Sequence, residues 1–398
     1  MTTIRVGALI DGTGAEPLSD VVVTVAGDRI AGIAEAASFD GVADLDCSAL
    51  TAIPGMVDCH DHLLLDVGDE AAQAGQSIAR LAIVSVANAR KLVQAGITTM
   101  RELGSKGGLD VELRQAIAEG EIPGPRLFIA GHVLCRTGGH AHFMGREVNG
   151  ADDMRKAVRE QIKLGADEIK IMVSGGMSTR GSSPFTQELT DDEIIAAIEE
   201  AHRAGLPIAG HGHGGPGVEF AARHGIDTIE HGICLERDQV KALAEAGTTL
   251  ISTVAVSRAV YSDPNTPEFY RAKISDSLER AVQVLRWARE FGVTVAVGCD
   301  TAHARFDLEM AALVEAGFSP LEAIRAMTLT GAEVVRQSAD LGSIEVGKIA
   351  DIVFLRGDPL ESSAAIRSVD KVMQAGNWVG LSCAVPGAPT GAPGKHWS

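Results

Sequence analysis

Ile53-Pro54-Gly55-Met56-Val57-Asp58-Cys59-His60-Asp61-His62 is an apolar run that ends in two histidines spaced two apart. A short apolar run of this kind reads as a buried strand, and residues two apart in a strand point to the same face. Both imidazoles can therefore reach one point beyond the strand's C-terminal end. A doubly wound open sheet would carry a glycine-rich phosphate loop after its first strand. Here the strand runs instead into Cys59-His60-Asp61-His62.

Outward from this stretch the same rhythm repeats. We read eight strands, at Ala52–Asp58, Ile97–Leu103, Arg126–Ala130, Glu168–Val173, Pro207–His211, Thr228–His231, Thr249–Thr253 and Thr294–Asp300. Helical periodicity fills the gaps at Gln76–Ala95, Met154–Leu164, Asp191–Ala204, Glu236–Ala246, Asp276–Phe291 and Pro320–Arg336. Such alternation specifies βα units around a parallel sheet, over a length close to the roughly 250 residues of a (β/α)8 barrel. Both chain ends are β-rich, with strands expected at Ile4–Ile10, Val21–Ala26, Arg29–Ile33 and Ala43–Cys47, then at Gly342–Gly347, Ile349–Leu355 and Val369–Ala375. The expected class is α/β: a (β/α)8 TIM barrel over residues 52–340, with a small composite β-sandwich domain built from residues 1–51 and 341–382. A loosely ordered tail rich in Pro and Gly is expected over residues 383–398.

The 398 residues are 45% hydrophobic and 22% charged, a soluble globular profile. A formal net charge of −18 argues against nucleic acid and anionic membranes as partners, although a locally positive pocket could still take an anionic small molecule. Six scattered cysteines without a C-x-x-C pair form no disulfide framework and suit a reducing cytosol. The N-terminal stretch has no basic-then-apolar signal pattern, and no apolar run approaches the about 20 residues of a membrane span. The expectation is a soluble, cytoplasmic protein acting on a small-molecule substrate, with a symmetric homo-oligomer as the general form.

Functional residues of such a barrel lie at the C-terminal ends of its strands. There the sequence offers His60 and His62, Lys170, His211, His231 and Asp300. Imidazole and carboxylate ligands without thiolate suit Zn2+, with Mn2+, Fe2+, Co2+ or Ni2+ as substitutes. The H-x-H spacing occurs three times, and any one instance can be a surface or packed pair. Strand context favours His60/His62. His140/His142 follows Thr137-Gly138-Gly139 and reads as loop, and His213 lies in the Gly-rich loop beyond His211.

Lys170 sits inside the apolar strand Glu168-Ile169-Lys170-Ile171-Met172-Val173, where an unpaired ammonium is costly. It is salt-bridged, outward-facing or carboxylated by CO2, which would turn a cation into a carboxylate able to bridge two metals. Asp300, in Val297-Gly298-Cys299-Asp300-Thr301, is a site residue or a helix cap.

Pro54–His62, the Lys170 strand, Ala209-Gly210-His211, Glu230-His231-Gly232 and Gly298-Cys299-Asp300-Thr301 resemble, in order and spacing, the metal-site pattern of the amidohydrolase superfamily. Gly347-Lys348-Ile349-Ala350-Asp351 resembles its return strand into the small β domain, so the likeness covers nearly the whole chain. Ser174-Gly175-Gly176 and the Cys135–Met144 loop are most similar to the branch of Xaa-Pro dipeptidases (prolidases), arginine carboxypeptidases and imidazolonepropionase-related hydrolases.

The resemblance implies two divalent metal ions, with Zn2+ the first expectation. His60, His62 and Asp300 would bind the buried ion, His211 and His231 the exposed one, and carboxylated Lys170 would bridge them. It implies hydrolysis of a C–N amide bond in a dipeptide or N-acyl amino acid by a metal-bridging hydroxide, with Asp300 as general base and then general acid. The alternatives are a cyclic amide, urea or carbamate hydrolase and a heterocycle deaminase, although deaminases of this superfamily commonly lack the bridging lysine. A catalytically silent scaffold would typically have lost ligands, and none is missing.

His140 is the candidate to touch the substrate carbonyl. Arg136, Arg180 and Arg258 are candidates to hold a substrate carboxylate, which a guanidinium matches bidentately, or else are solvated surface residues. Related dipeptidases often carry a tyrosine after the seventh strand, where this chain reads Ser252-Thr253-Val254-Ala255-Val256-Ser257-Arg258. Neither Tyr261 nor Tyr270 is an obvious stand-in, though Tyr261 could reach from the same loop. His303 reads as a loop residue.

Overall fold

The computed structural model describes residues 1–380, so the tail expected over 383–398 lies outside the described residues. Eight parallel segments organise the middle of the chain: β1 (Met56–Asp61), β2 (Ile97–Glu102), β3 (Arg126–Ile129), β4 (Ile169–Met172), β5 (Ile208–Gly212), β6 (Thr228–His231), β7 (Thr249–Ser252) and β8 (Val295–Val297). β1 to β3 form one ladder, and β4 to β8 run side by side in a second that Leu134–Arg136 and Arg146–Val148 extend. Hydrogen bonds join the ladders at both ends. The Asp300 N–H donates to the His60 carbonyl at 2.6 Å, and the Asp167 N–H to the Ile129 carbonyl at 2.8 Å. Every residue of β1, β2, β4, β5 and β6 is buried, so these strands show no alternation of buried and exposed faces, and polar groups they carry, such as Arg101 and Glu230, are buried with them.

The helices between them follow local rules. In Asp191–Arg203 the Thr190 hydroxyl accepts from the Glu193 N–H, and the Glu193 carboxylate accepts from the Thr190 N–H. This capping box contributes about 1 kcal/mol. Ile194, Ala197, Ile198 and Ala201 recur at helical spacing and fill the buried face.

The two chain ends meet in one seven-stranded sheet, ordered Asn377–Trp378, Val369–Gln374, Ile352–Leu355, Leu45–Pro54, Thr2–Leu9, Leu18–Ala26 and Arg29–Glu35. Its apolar side packs Ile4, Val6, Val23, Ile352 and Phe354 together. Three sequence expectations are corrected here. The strand expected over Ala52–Asp58 is two: Leu45–Pro54 belongs to the small sheet, and β1 begins at Met56. They part at Gly55, whose N–H donates to the Asp351 carbonyl at 2.8 Å, and where a Cβ would lie 2.2 Å from Thr98 Oγ1. Gly342–Gly347 is a turn, because Gly342 (φ 84°) and Gly347 (φ 97°) take left-handed backbone. The helix expected over Pro320–Arg336 breaks at Thr328 into Pro320–Met327 and Leu329–Val334. There the Thr328 hydroxyl donates to the Ile324 carbonyl at 2.7 Å, a local bond that competes with the helix ladder.

Among the described residues no helix is long and apolar enough to cross a membrane. Two helices that the periodicity left unread, Val254–Ser262 and Glu268–Ser275, follow β7 and wall one side of the cavity described next.

Candidate active site

Where the strands end, their side chains converge. His60 and His62 (at and just beyond the end of β1), Lys170 (β4), His211 (β5), His231 (β6) and Asp300 (just past β8) line one cavity. His231 (φ 71°) and Asp300 (φ 53°) sit in left-handed backbone, an uncommon state for residues with side chains and one that clusters at functional sites. Ring centroids lie 4.5 Å apart for His60 and His231, and 4.7 Å for His211 and His231. One ligand atom each from His60, His231 and Asp300 falls within 4.8 Å of the others, and His62 Nε2 lies 3.9 Å from Asp300 Oδ1.

Three of the rings are tethered through Nδ1, which leaves Nε2 to face the cavity. His60 Nδ1 donates to Glu230 Oε2 at 2.8 Å and His62 Nδ1 to the Gly104 carbonyl at 3.0 Å. His231 Nδ1 pairs with Thr253 Oγ1 at 2.7 Å. Fixing one nitrogen in this way sets tautomer and ring orientation. Lys170 Nζ and His211 Nε2 are buried without any hydrogen-bond partner, although buried polar atoms are almost always paired. These orphaned donors and the imidazole-carboxylate set fit divalent metal ions of the Zn2+ type.

Electrostatics agree with that use. Burial holds His60, His211 and His231 well below the ordinary imidazole range, so they are neutral and able to ligate. Burial also lowers Lys170 to about 8, which makes its neutral, CO2-reactive amine accessible. His62 differs: burial would lower it, but the Glu102 and Asp300 carboxylates outweigh that and push it up to about 9. Asp300 is raised by burial, with His62 opposing.

Behind His60 lies a buried ion network. Arg101 Nη2 donates to Glu230 Oε1 at 2.7 Å, Arg101 Nη1 to Glu168 Oε2 at 3.0 Å, and Arg101 Nε to the Cys59 carbonyl at 2.6 Å. Glu230 thus passes Arg101's orientation to the His60 ring. Glu230→Gln is expected to weaken metal retention roughly 10–100-fold, as such outer partners typically do. Titration with a chelator, followed by metal analysis, checks this; retention equal to the unaltered protein would remove Glu230 from the site.

His140 lines the same cavity, its Nδ1 held by Thr179 Oγ1 at 2.9 Å and its ring 4.3 Å from His211. The three arginines do not line it. Arg136 lies 3.7 Å from Glu188, Arg180 stacks over Phe269 at 4.5 Å, and Arg258 pairs with Glu315 at 2.9 Å. His213, expected in a loop, follows β5 directly and lines the cavity 4.9 Å from the His231 ring, with burial pushing it down to about 3. Its signal was present in the spacing of two from His211. His303 is more than a loop residue: it clasps Asp61 at 2.9 Å and the Leu65 carbonyl at 2.7 Å.

The tyrosine that reaches the cavity is Tyr270, 4% exposed, whereas Tyr261 is 46% exposed. Tyr270 Oη donates to Glu70 Oε1 at 3.3 Å, across 200 residues of chain. No local pattern marks either partner. Burial raises Glu70 to about 7.

The profile of the amidohydrolase family matches residues 51–379. Ochratoxinase of Aspergillus niger is 28% identical across 91% of this chain and 82% of its own length. A solved Xaa-Pro dipeptidase with methionine bound in its active site superposes with a TM-score of 0.87 at 31% identity, covering 95% of this chain and 99% of that one. A prolidase complexed with N-methylphosphonate-L-proline superposes with a TM-score of 0.87 at 29% identity, covering 95% and 98%.

Proposed function

The chain belongs to the amidohydrolase family, and from that premise we propose that it is a metal-dependent hydrolase cleaving the C–N amide bond of a small molecule, a dipeptide or an N-acyl amino acid. The observation that carries this reading is the pair of buried, partnerless donors, Lys170 Nζ and His211 Nε2, set among His60, His62, His231 and Asp300. His60, His62 and Asp300 would hold one divalent ion and His211 and His231 a second, with Lys170 as a CO2-derived carboxylate shared between them. Zn2+ fits this donor set first. When bound, the ions supply an acidified water and polarise the scissile carbonyl.

The chain's own groups then do the rest. Asp300 accepts the proton of the attacking water and returns one to the departing amine nitrogen, general base and then general acid. His140, steadied by Thr179, donates a hydrogen bond towards the carbonyl oxygen. The names of the relatives, an ochratoxinase, an Xaa-Pro dipeptidase and a prolidase, support an amide as the bond cut. In the same reading the eight parallel segments close as a (β/α)8 barrel, supported by the hydrogen bonds at both seams, and the seven-stranded sheet is its companion β domain.

Metal analysis of protein purified with bicarbonate tests the centre. About two equivalents per chain are expected, with Lys170→Ala retaining well under half of them. A single equivalent indifferent to Lys170→Ala would sink the shared-lysine arrangement.

A further inference from the structure

One wall of the cavity owes nothing to the metal-centre residues. It is built by Glu70, in the short helix Glu70–Ala74 after β1, by Tyr270 and by Ser178. The Glu70 carboxylate accepts from the Tyr270 hydroxyl at 3.3 Å, and Ser178 lines the same cavity. A carboxylate offers about four lone-pair sites, so one such bond leaves this cavity-lining group able to accept more.

Among the described residues no lysine or arginine pairs with Glu70. Among the described residues that line the cavity Lys170 is the only lysine or arginine, and it belongs to the proposed metal centre. Lys273 is spent on the backbone carbonyls of Gly176, Met177, Thr179 and Ser182, at 2.7–3.3 Å, and Arg180 on the ring of Phe269. Leu65, Val256 and Ile274 line the cavity alongside, so a charge-assisted hydrogen bond made there is screened little by water. In its ionised form this carboxylate is acceptor-only and negatively charged in an apolar surround, which complements a cationic donor whose own charge favours that form.

We infer that Glu70, oriented by Tyr270, receives the protonated amine of the substrate. The enzyme therefore prefers amides with a free amino group, dipeptides or aminoacyl amides, over their N-acylated counterparts. This rests on the amide-hydrolase reading of the site and narrows it. Glu70 is a specificity-determining contact, and Tyr270 is a positioning residue acting through it.

The test compares alanyl-proline with N-acetylalanyl-proline on the metal-loaded enzyme. The free dipeptide is expected to have the higher kcat/KM by roughly 100-fold, the scale of leaving a buried charged group unpaired. Glu70→Gln is expected to bring that ratio below about 10, mainly through KM, with metal content unchanged. Tyr270→Phe is expected to lower the ratio less, again through KM rather than kcat. A ratio near one in the unaltered enzyme, an equal loss on both substrates in Glu70→Gln, or loss of metal from that variant would overturn the inference. If neither peptide is cleaved, the amide reading fails for this pair, and calorimetric binding of alaninol against N-acetylalaninol decides the ammonium contact by itself. Selective binding of the amine that Glu70→Gln abolishes supports the contact; equal binding of the two overturns it.

Discussion

Asp300→Asn is expected to lower kcat/KM by roughly 10²–10⁴-fold, the usual contribution of a positioned general base, while the fold survives. Asn preserves the shape of the side chain and is among the few residues that tolerate the left-handed backbone found there (φ 53°). The backbone N–H that donates to the His60 carbonyl at 2.6 Å is untouched, so the seam between β8 and β1 stays closed. The variant loses the second carboxylate oxygen and with it the capacity to take a proton from water. It also loses the anionic oxygen that Asp300 would offer the ion beside His60 and His62, so part of the metal is expected to dissociate. Steady-state kinetics on the first amide substrate, with metal content measured on the same preparation, separate the two losses. Near-normal turnover at full metal occupancy would exclude Asp300 as the base.

Arg101→Met is expected to destabilise the protein by about 3–5 kcal/mol, the cost of removing one partner from a buried ion pair. Met keeps much of the volume and removes the charge, so the loss reads electrostatics rather than a cavity. Glu168 and Glu230 would be left buried at 3.0 and 2.7 Å from a vanished guanidinium, and the Cys59 carbonyl would lose its donor. Burial already pushes Glu168 up to about 7 with Arg101 beside it, and without Arg101 the acid would go higher still. The urea midpoint measures the effect. Adding Glu168→Gln to Arg101→Met is expected to recover part of it, because one of the two orphaned carboxylates is then gone. A midpoint within experimental error of the unaltered protein would show that the network contributes only orientation.

That His60, His62, Lys170, His211, His231 and Asp300 share one end of the strands is legible in the sequence, for a reason internal to parallel sheets. Strands covered on both faces are mostly apolar, so a histidine, lysine or aspartate at or inside such a run stands out, and it stands where the strand ends open on the cavity. The same apolarity hid the corner at Gly55. Residues 52–58 are uniformly small or apolar up to Asp58, and that pattern is the same whether they serve one sheet or two. The break is imposed by Thr98 and Asp351, which press on Gly55 from elsewhere in the chain.

The arginines show the opposite limit. Arg136, Arg180 and Arg258 have chemistry suited to a carboxylate, but Glu188, Phe269 and Glu315 occupy them, and none of those partners is a sequence neighbour. Glu70 and Tyr270 look unremarkable in sequence and meet only because a helix after β7 folds over the end of β1. By itself, the sequence determined the alternation of strands and helices and which strand-end residues meet at the cavity, since both are written in local periodicity and residue type. Which side chains face the substrate, and with what net charge, was decided by tertiary structure, because long flexible side chains and loop helices take their direction from partners that periodicity cannot reveal.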